Sequence, residues 1–78
     1  RRRPMSRYGV VLVHTTSSAM RTEKILLKAG LSVKLIPTPR QFSSDCGISV
    51  RFEWAQAELV TALLDANRVD ISAIRQLL

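Results

Sequence analysis

The stretch YGVVLVHTTSSAM, residues 8–20, decides how the chain is read. Its first half is a continuous apolar run with β-branched residues. That is the pattern of a strand covered on both faces, and so central in its sheet. Its second half carries Thr15, Thr16, Ser17 and Ser18, hydroxyls suited to accept from the orphan N–H groups of a helix start. A strand running into a helix is therefore the first unit. The helix AMRTEKILLKA, residues 19–29, ends at Gly30, a natural residue for the left-handed position just past a helix.

Working outward, LSVKLI at residues 31–36 alternates, with Leu31, Val33 and Leu35 on one face and Ser32 and Lys34 on the other. Pro37 and Pro39 end this strand and stiffen the segment beyond it. Residues 37–47 show no periodicity and read as a long loop. ISVRF, residues 48–52, alternates again, Ile48, Val50 and Phe52 against Ser49 and Arg51. EWAQAELVTALLDAN, residues 53–67, reads as a second helix with Ala57, Val60, Leu63 and Leu64 along one stripe. A last strand is expected within residues 71–77. The order β-α-β-β-α-β predicts an α+β domain, a ferredoxin-like split βαβ sandwich with both helices on one face of an antiparallel sheet. Strands one and three are expected at its centre, two and four at its edges.

With 78 residues the chain has room for one modest core, and domains of this size bury only about 60% of their unfolded surface. The folded domain is expected over residues 8–78, after a basic arm at 1–7. Residues 1–4 stand ahead of Met5 and read as that arm's tip or an appended remnant. One cysteine excludes an internal disulfide, and one cysteine with one histidine falls short of a structural zinc set. No metal or organic cofactor is expected, and a reducing cytoplasm is the expected setting. No apolar run approaches the length of a membrane span. The formal charge is +6; without Arg1–Arg3, nine bases face six acids, a net +3.

SSDCGISVRF, residues 43–52, places Cys46 between an acid and a glycine, directly ahead of the third strand. The expected topology brings three features to that end of the sheet: His14 at the top of the first strand, the amino end of the first helix, and the long loop. A helix amino end carries about half a positive charge, and Arg40 and Lys34 add cations, so the surroundings favour thiolate, the nucleophilic form. Asp45 opposes this. Gly47 allows close approach to its backbone, and its amide is a candidate donor to sulfur. The plainer reading is that Cys46 is a small buried hydrophobe, as many cysteines are; its polar, glycine-flanked setting predicts exposure instead. Ser43 and Ser44 are expected to brace the loop through local hydrogen bonds. Glu23 falls among Ala19, Met20, Leu26 and Leu27, inside the expected apolar arc, where a carboxylate needs a partner. Amides of the loop at 43–47 would serve, as would water at the core's rim. Trp54 falls on the polar side of the second helix, as an interface anchor or folded back on Phe52.

HTTSSAMRTEKILLKAG, residues 14–30, and KLIPTPRQFSSDCGISVRF, residues 34–52, resemble the small bacterial family of selenium/sulfur carrier-like proteins. The resemblance runs from Tyr8 to Leu77. Its most specific part is Pro37, Pro39 and Arg40 leading into Ser43, Ser44, Cys46 and Gly47. It implies a cytoplasmic carrier, not a stand-alone enzyme, on which Cys46 holds sulfur or selenium as a persulfide or selenopersulfide. Arg40 falls at the family's arginine and Cys46 at its cysteine. Partners implied are a donor, such as a cysteine desulfurase, and an acceptor. The lack of a second, resolving cysteine fits a carrier better than a dithiol oxidoreductase.

Two other classes compete. A regulatory or assembly domain would bind a small ligand, or dimerise through edge strands protected by little beyond Lys34 and Arg75. An RNA-binding module would stack bases on aromatic side chains of the central strands. Those strands offer little for that, so nucleic acid is not the expected partner.

Overall fold

Two six-residue strands, β1 (Tyr8–Val13) and β3 (Ile48–Glu53), form the antiparallel centre of the sheet, with Val11 opposite Val50 and Gly9 opposite Phe52. The computed structural model describes residues 7–42 and 46–77. Strand β2 (Lys34–Pro37) pairs with the outer side of β3, and β4 (Ile71–Gln76) with the outer side of β1. The order is β2-β3-β1-β4, so the edges fall to the second and fourth strands. Helices α1 (Thr16–Lys28) and α2 (Ala57–Ala66) complete an α+β domain.

Alternation along the strands decides which face the helices cover. Val11, Val13, Val50 and Phe52 share a face and form one buried cluster with Ala19 and Leu26 of α1 and Val60 and Leu64 of α2. Each such side chain contributes about 1.5–3 kcal/mol of transfer free energy. Val10 and Leu12 point to the opposite face and are buried as well. The unbroken apolar run in β1 thus meets cover on both sides.

The helix ends follow local chemistry. Thr15 caps α1, its hydroxyl oxygen accepting from the Ser18 N–H at 3.1 Å. At the other end Gly30 takes φ +90°, with Leu31 N–H bonded to Leu26 O and Gly30 N–H to Leu27 O, a Schellman arrangement. Helix α2 closes in the same way, but Arg68 stands at the left-handed position with φ 55°. A side chain there stores strain that glycine would not.

Several boundaries differ from those read in the sequence. Leu31 and Val33 pack against the core with Leu35, as their alternation requires, yet hydrogen-bonded pairing begins only at Lys34 and continues through Pro37. Helix α2 starts four residues later than expected, because Trp54–Gln56 forms a single 3₁₀ turn. The buried stripe of α1 is Ala19, Thr22 and Leu26, leaving Met20 57% and Leu27 49% exposed. The apolar arc is therefore rotated away from the one that included Met20 and Leu27. Arg7 belongs to the fold, not to the expected arm: its carbonyl accepts from Trp54 N–H at 2.7 Å and its guanidinium pairs with Glu53 at 3.0 Å. The remainder of that arm, residues 1–6, and Leu78 lie outside the described residues.

Trp54 lies back on Phe52, ring centroids 5.9 Å apart, rather than standing out in solvent. Gly9 makes this possible. A Cβ there would sit 2.5 Å from a Trp54 ring carbon and 2.9 Å from the Phe52 ring tip. Gly9→Ala is expected to destabilise the domain by about 1–3 kcal/mol through overpacking, measured as a lower urea midpoint; an unchanged midpoint would show that the two rings yield freely.

Candidate functional site around Cys46

Cys46 immediately precedes β3, and the strand register sets it at the end of the sheet where β1 runs out toward α1. Its backbone is held from the neighbouring chain segment. Thr38, just beyond β2, donates its hydroxyl proton to Cys46 O at 2.9 Å, and its N–H bonds Gly47 O at 2.9 Å. A hydroxyl has one proton to give, so the 2.8 Å contact between Thr38 Oγ1 and Ser49 Oγ runs from Ser49 to Thr38. Ser49 is fully buried, and this bond satisfies it. The result is a three-residue clamp, Ser49 to Thr38 to Cys46, spanning the β2–β3 connection.

Cys46 is 7% exposed and joins the core cluster with Val13, Ala19 and Leu26. Thr16, the first residue of α1, places its hydroxyl 3.7 Å from Cys46 Sγ. The expectation of a thiol at the amino end of the first helix is met. The expectation of exposure is not. The polar sequence around Cys46 suggests exposure, but the side chain itself turns under the first turn of α1, where a small apolar group fits.

The other expected residues divide. His14 is exposed in the turn between β1 and the α1 cap, at the same end of the sheet. Arg40 is exposed in the turn after Pro39, where Phe42 N–H bonds Pro39 O at 3.1 Å, and it has no ion pair with a described residue. Gly47 is exposed, with open space where a side chain would begin. Its surroundings leave room for another molecule, and its conformation does not demand glycine. Glu23 is half-buried on the outer side of α1 beside Met20 and Leu27; its support of the loop remains a proposal. Ser43, Ser44 and Asp45 lie outside the described residues. A depression of roughly 610 Å³ lies between α2 and β4 against Trp54, Leu64 and Ile74. Cys46 does not line it.

Sequence reasoning missed Thr38 and Ser49; it placed Thr16 at the helix start beside the cysteine but gave its hydroxyl no part. A threonine between two prolines carried the signal for Thr38, since its neighbours fix the backbone that aims its hydroxyl. Alternation puts Ser49 on the polar face of its strand, and nothing in the pattern shows that this face is closed there.

Among the described residues no cluster of three or more histidine, cysteine or acidic side chains could hold a metal. Nor is any helix among them long and apolar enough to cross a membrane. The arrangement defines a small α+β domain whose one thiol is seated under a helix amino end and pinned through its own carbonyl. The chain matches the family model described as "Putative Se/S carrier protein-like" over residues 8–76, and it belongs to that family. No curated protein and no solved structure matches the chain.

Thr38→Val is expected to lower stability by about 1–3 kcal/mol, because it leaves a buried hydroxyl and a carbonyl without partners. Thr38→Ser keeps the hydroxyl and should lose less. Urea denaturation of both variants checks this; a loss in Thr38→Val no larger than that in Thr38→Ser would contradict a stabilising clamp.

Proposed function

We propose that the protein is a cytoplasmic sulfur or selenium carrier, with Cys46 as the atom-bearing residue. The observation that carries this is the match to the carrier-like family over nearly the whole chain, together with a single cysteine on which any such cargo can sit. The ferredoxin-like reading of the fold is supported by the order β2-β3-β1-β4 and by both helices contributing to one core cluster.

The chemistry needs no external redox agent. Cys46 thiolate attacks the outer sulfur of a donor persulfide, such as that of a cysteine desulfurase. A new S–S bond forms on Cys46, the donor's S–S bond breaks, and the donor leaves as a thiolate. Delivery reverses the roles: an acceptor nucleophile takes the outer sulfur and Cys46 leaves as thiolate. Selenium transfers in the same way. Helix amino ends stabilise negative charge, and Thr16 stands at that end beside Sγ. With its carbonyl clamped by Thr38, Cys46 can reach a donor through rotation about its own Cα–Cβ bond, which swings Sγ from beneath Thr16. Arg40 and His14, both exposed at this end, are the candidates to meet an anionic cargo or partner.

A second reading is favoured by the 7% exposure of Cys46: a ligand-binding or dimerising domain in which the cysteine only packs. One experiment separates the two. Incubation with a cysteine desulfurase and cysteine, followed by intact mass spectrometry, is expected to show sulfur adducts on the native chain and none on Cys46→Ala. Native protein that stays unmodified while the desulfurase is demonstrably loaded supports the packing reading.

A further inference from the structure

The face of the sheet turned away from the helices carries a charge arrangement that the carrier reading does not use. Lys34 of β2 and Arg51 of β3 stand directly opposite one another. Register places Tyr8 and Glu53 on the same face in the next cross-strand row. Like charges facing each other across two strands are destabilising unless something offsets them. Among the described residues the carboxylate that lines this neighbourhood is already engaged, since Glu53 Oε2 accepts from Arg7 at 3.0 Å. Lys34 and Arg51 are thus left with two positive charges and no ion pair to a described residue.

The arginine is not waving in solvent. Its guanidinium carbon lies 4.3 Å from the centroid of the Tyr8 ring, with Arg7 5.3 Å from the same ring. Cation–π contact of this kind holds the planar donor group in place. Beside it the surface dips into a polar niche of roughly 210 Å³, lined by Tyr8, Ser32, Val33, Lys34, Arg51 and Glu53. That is smaller than the usual pocket for a drug-sized ligand. Its donors are a guanidinium fork, an ammonium and the Ser32 hydroxyl, drawn from β3, β2 and the segment before β2.

We propose that this niche binds a dianionic phosphate group, free or at the end of a phosphomonoester. A phosphate carries about −1.5 to −2 charges at neutral pH, matching the two uncompensated cations, and offers three acceptor oxygens. A planar carboxylate offers two oxygens and one charge. The guanidinium engages two oxygens in a bidentate fork while the ammonium acts as a point charge on a third. The site lies on the opposite face of the sheet from the core cluster that holds Cys46, and the proposal does not depend on the carrier reading.

Amide NMR of the full chain, titrated with inorganic phosphate and separately with a nucleoside 5′-monophosphate, tests it, with sodium chloride at matched ionic strength as reference. Saturable shifts confined to Tyr8, residues 32–34 and Arg51 are expected. Lys34→Gln, at an exposed position, should weaken phosphate binding by about fivefold and Arg51→Lys by a comparable factor; Lys28→Gln, on α1, should leave it unchanged. Tighter binding of the monoester marks the group as the head of a larger ligand, and equal binding marks free phosphate; either outcome supports the site. Shifts no different from those with chloride, native-like affinity in Lys34→Gln, or equal competition by a glutamate-rich peptide would overturn the proposal.

Discussion

A single hydrogen bond, donated by the Thr38 hydroxyl to the carbonyl of Cys46, is the constraint on which the rest of the site depends. Thr38 is itself fixed by the buried Ser49 hydroxyl and by its own N–H to Gly47 O. The clamp ties the end of an edge strand to the start of a central one, so the entry to β3 is set before any side chain chooses a direction. Given that entry, Sγ falls beneath the first turn of α1, 3.7 Å from Thr16 Oγ1. The cysteine is seated by backbone geometry, and its chemistry follows from where it is seated.

The two faces of the sheet divide the labour of the molecule. One is closed by α1 and α2 over Val11, Val13, Val50 and Phe52, and the thiol sits at its rim. The other carries no helix among the described residues and presents Lys34, Arg51 and Tyr8. Burial of aliphatic side chains is the dominant favourable term for the first face. The second buries Val10, Leu12 and Ser49 along its centre, while at its Tyr8 end cation–π contacts and the Arg7–Glu53 pair hold the charged side chains. Gly9 on the first face leaves room for Trp54 to lie against Phe52.

Strand and helix order was legible in the residues because the patterns there are strong. An unbroken apolar run rich in valine gave β1 its central place, and Gly30 marked the end of α1 through a conformation that side chains resist. Alternation correctly assigned Leu31, Val33 and Leu35 to the core face while overstating the length of β2, since facing a core and joining a ladder are separate requirements. The rotation of α1 was missed because Thr22, a polar residue, is fully buried while Met20 and Leu27 are half out. A helical wheel ranks residues by polarity and cannot see which side the sheet approaches from. The cysteine's position at the helix start followed from topology. Its burial did not, because that depends on the Thr38 clamp, a tertiary hydrogen bond with no local period.

A cargo-bearing sulfur placed in this way is sheltered at rest and must be turned outward to react. The labelling rate of Cys46 by an aromatic disulfide reagent, native chain against the same chain in denaturant, measures this directly. Much slower labelling is predicted in the folded protein, with acceleration in Thr38→Val beyond what its loss of stability explains. Equal rates in native and denatured chains would show a sulfur open to solvent throughout, and would contradict a sheltered carrier.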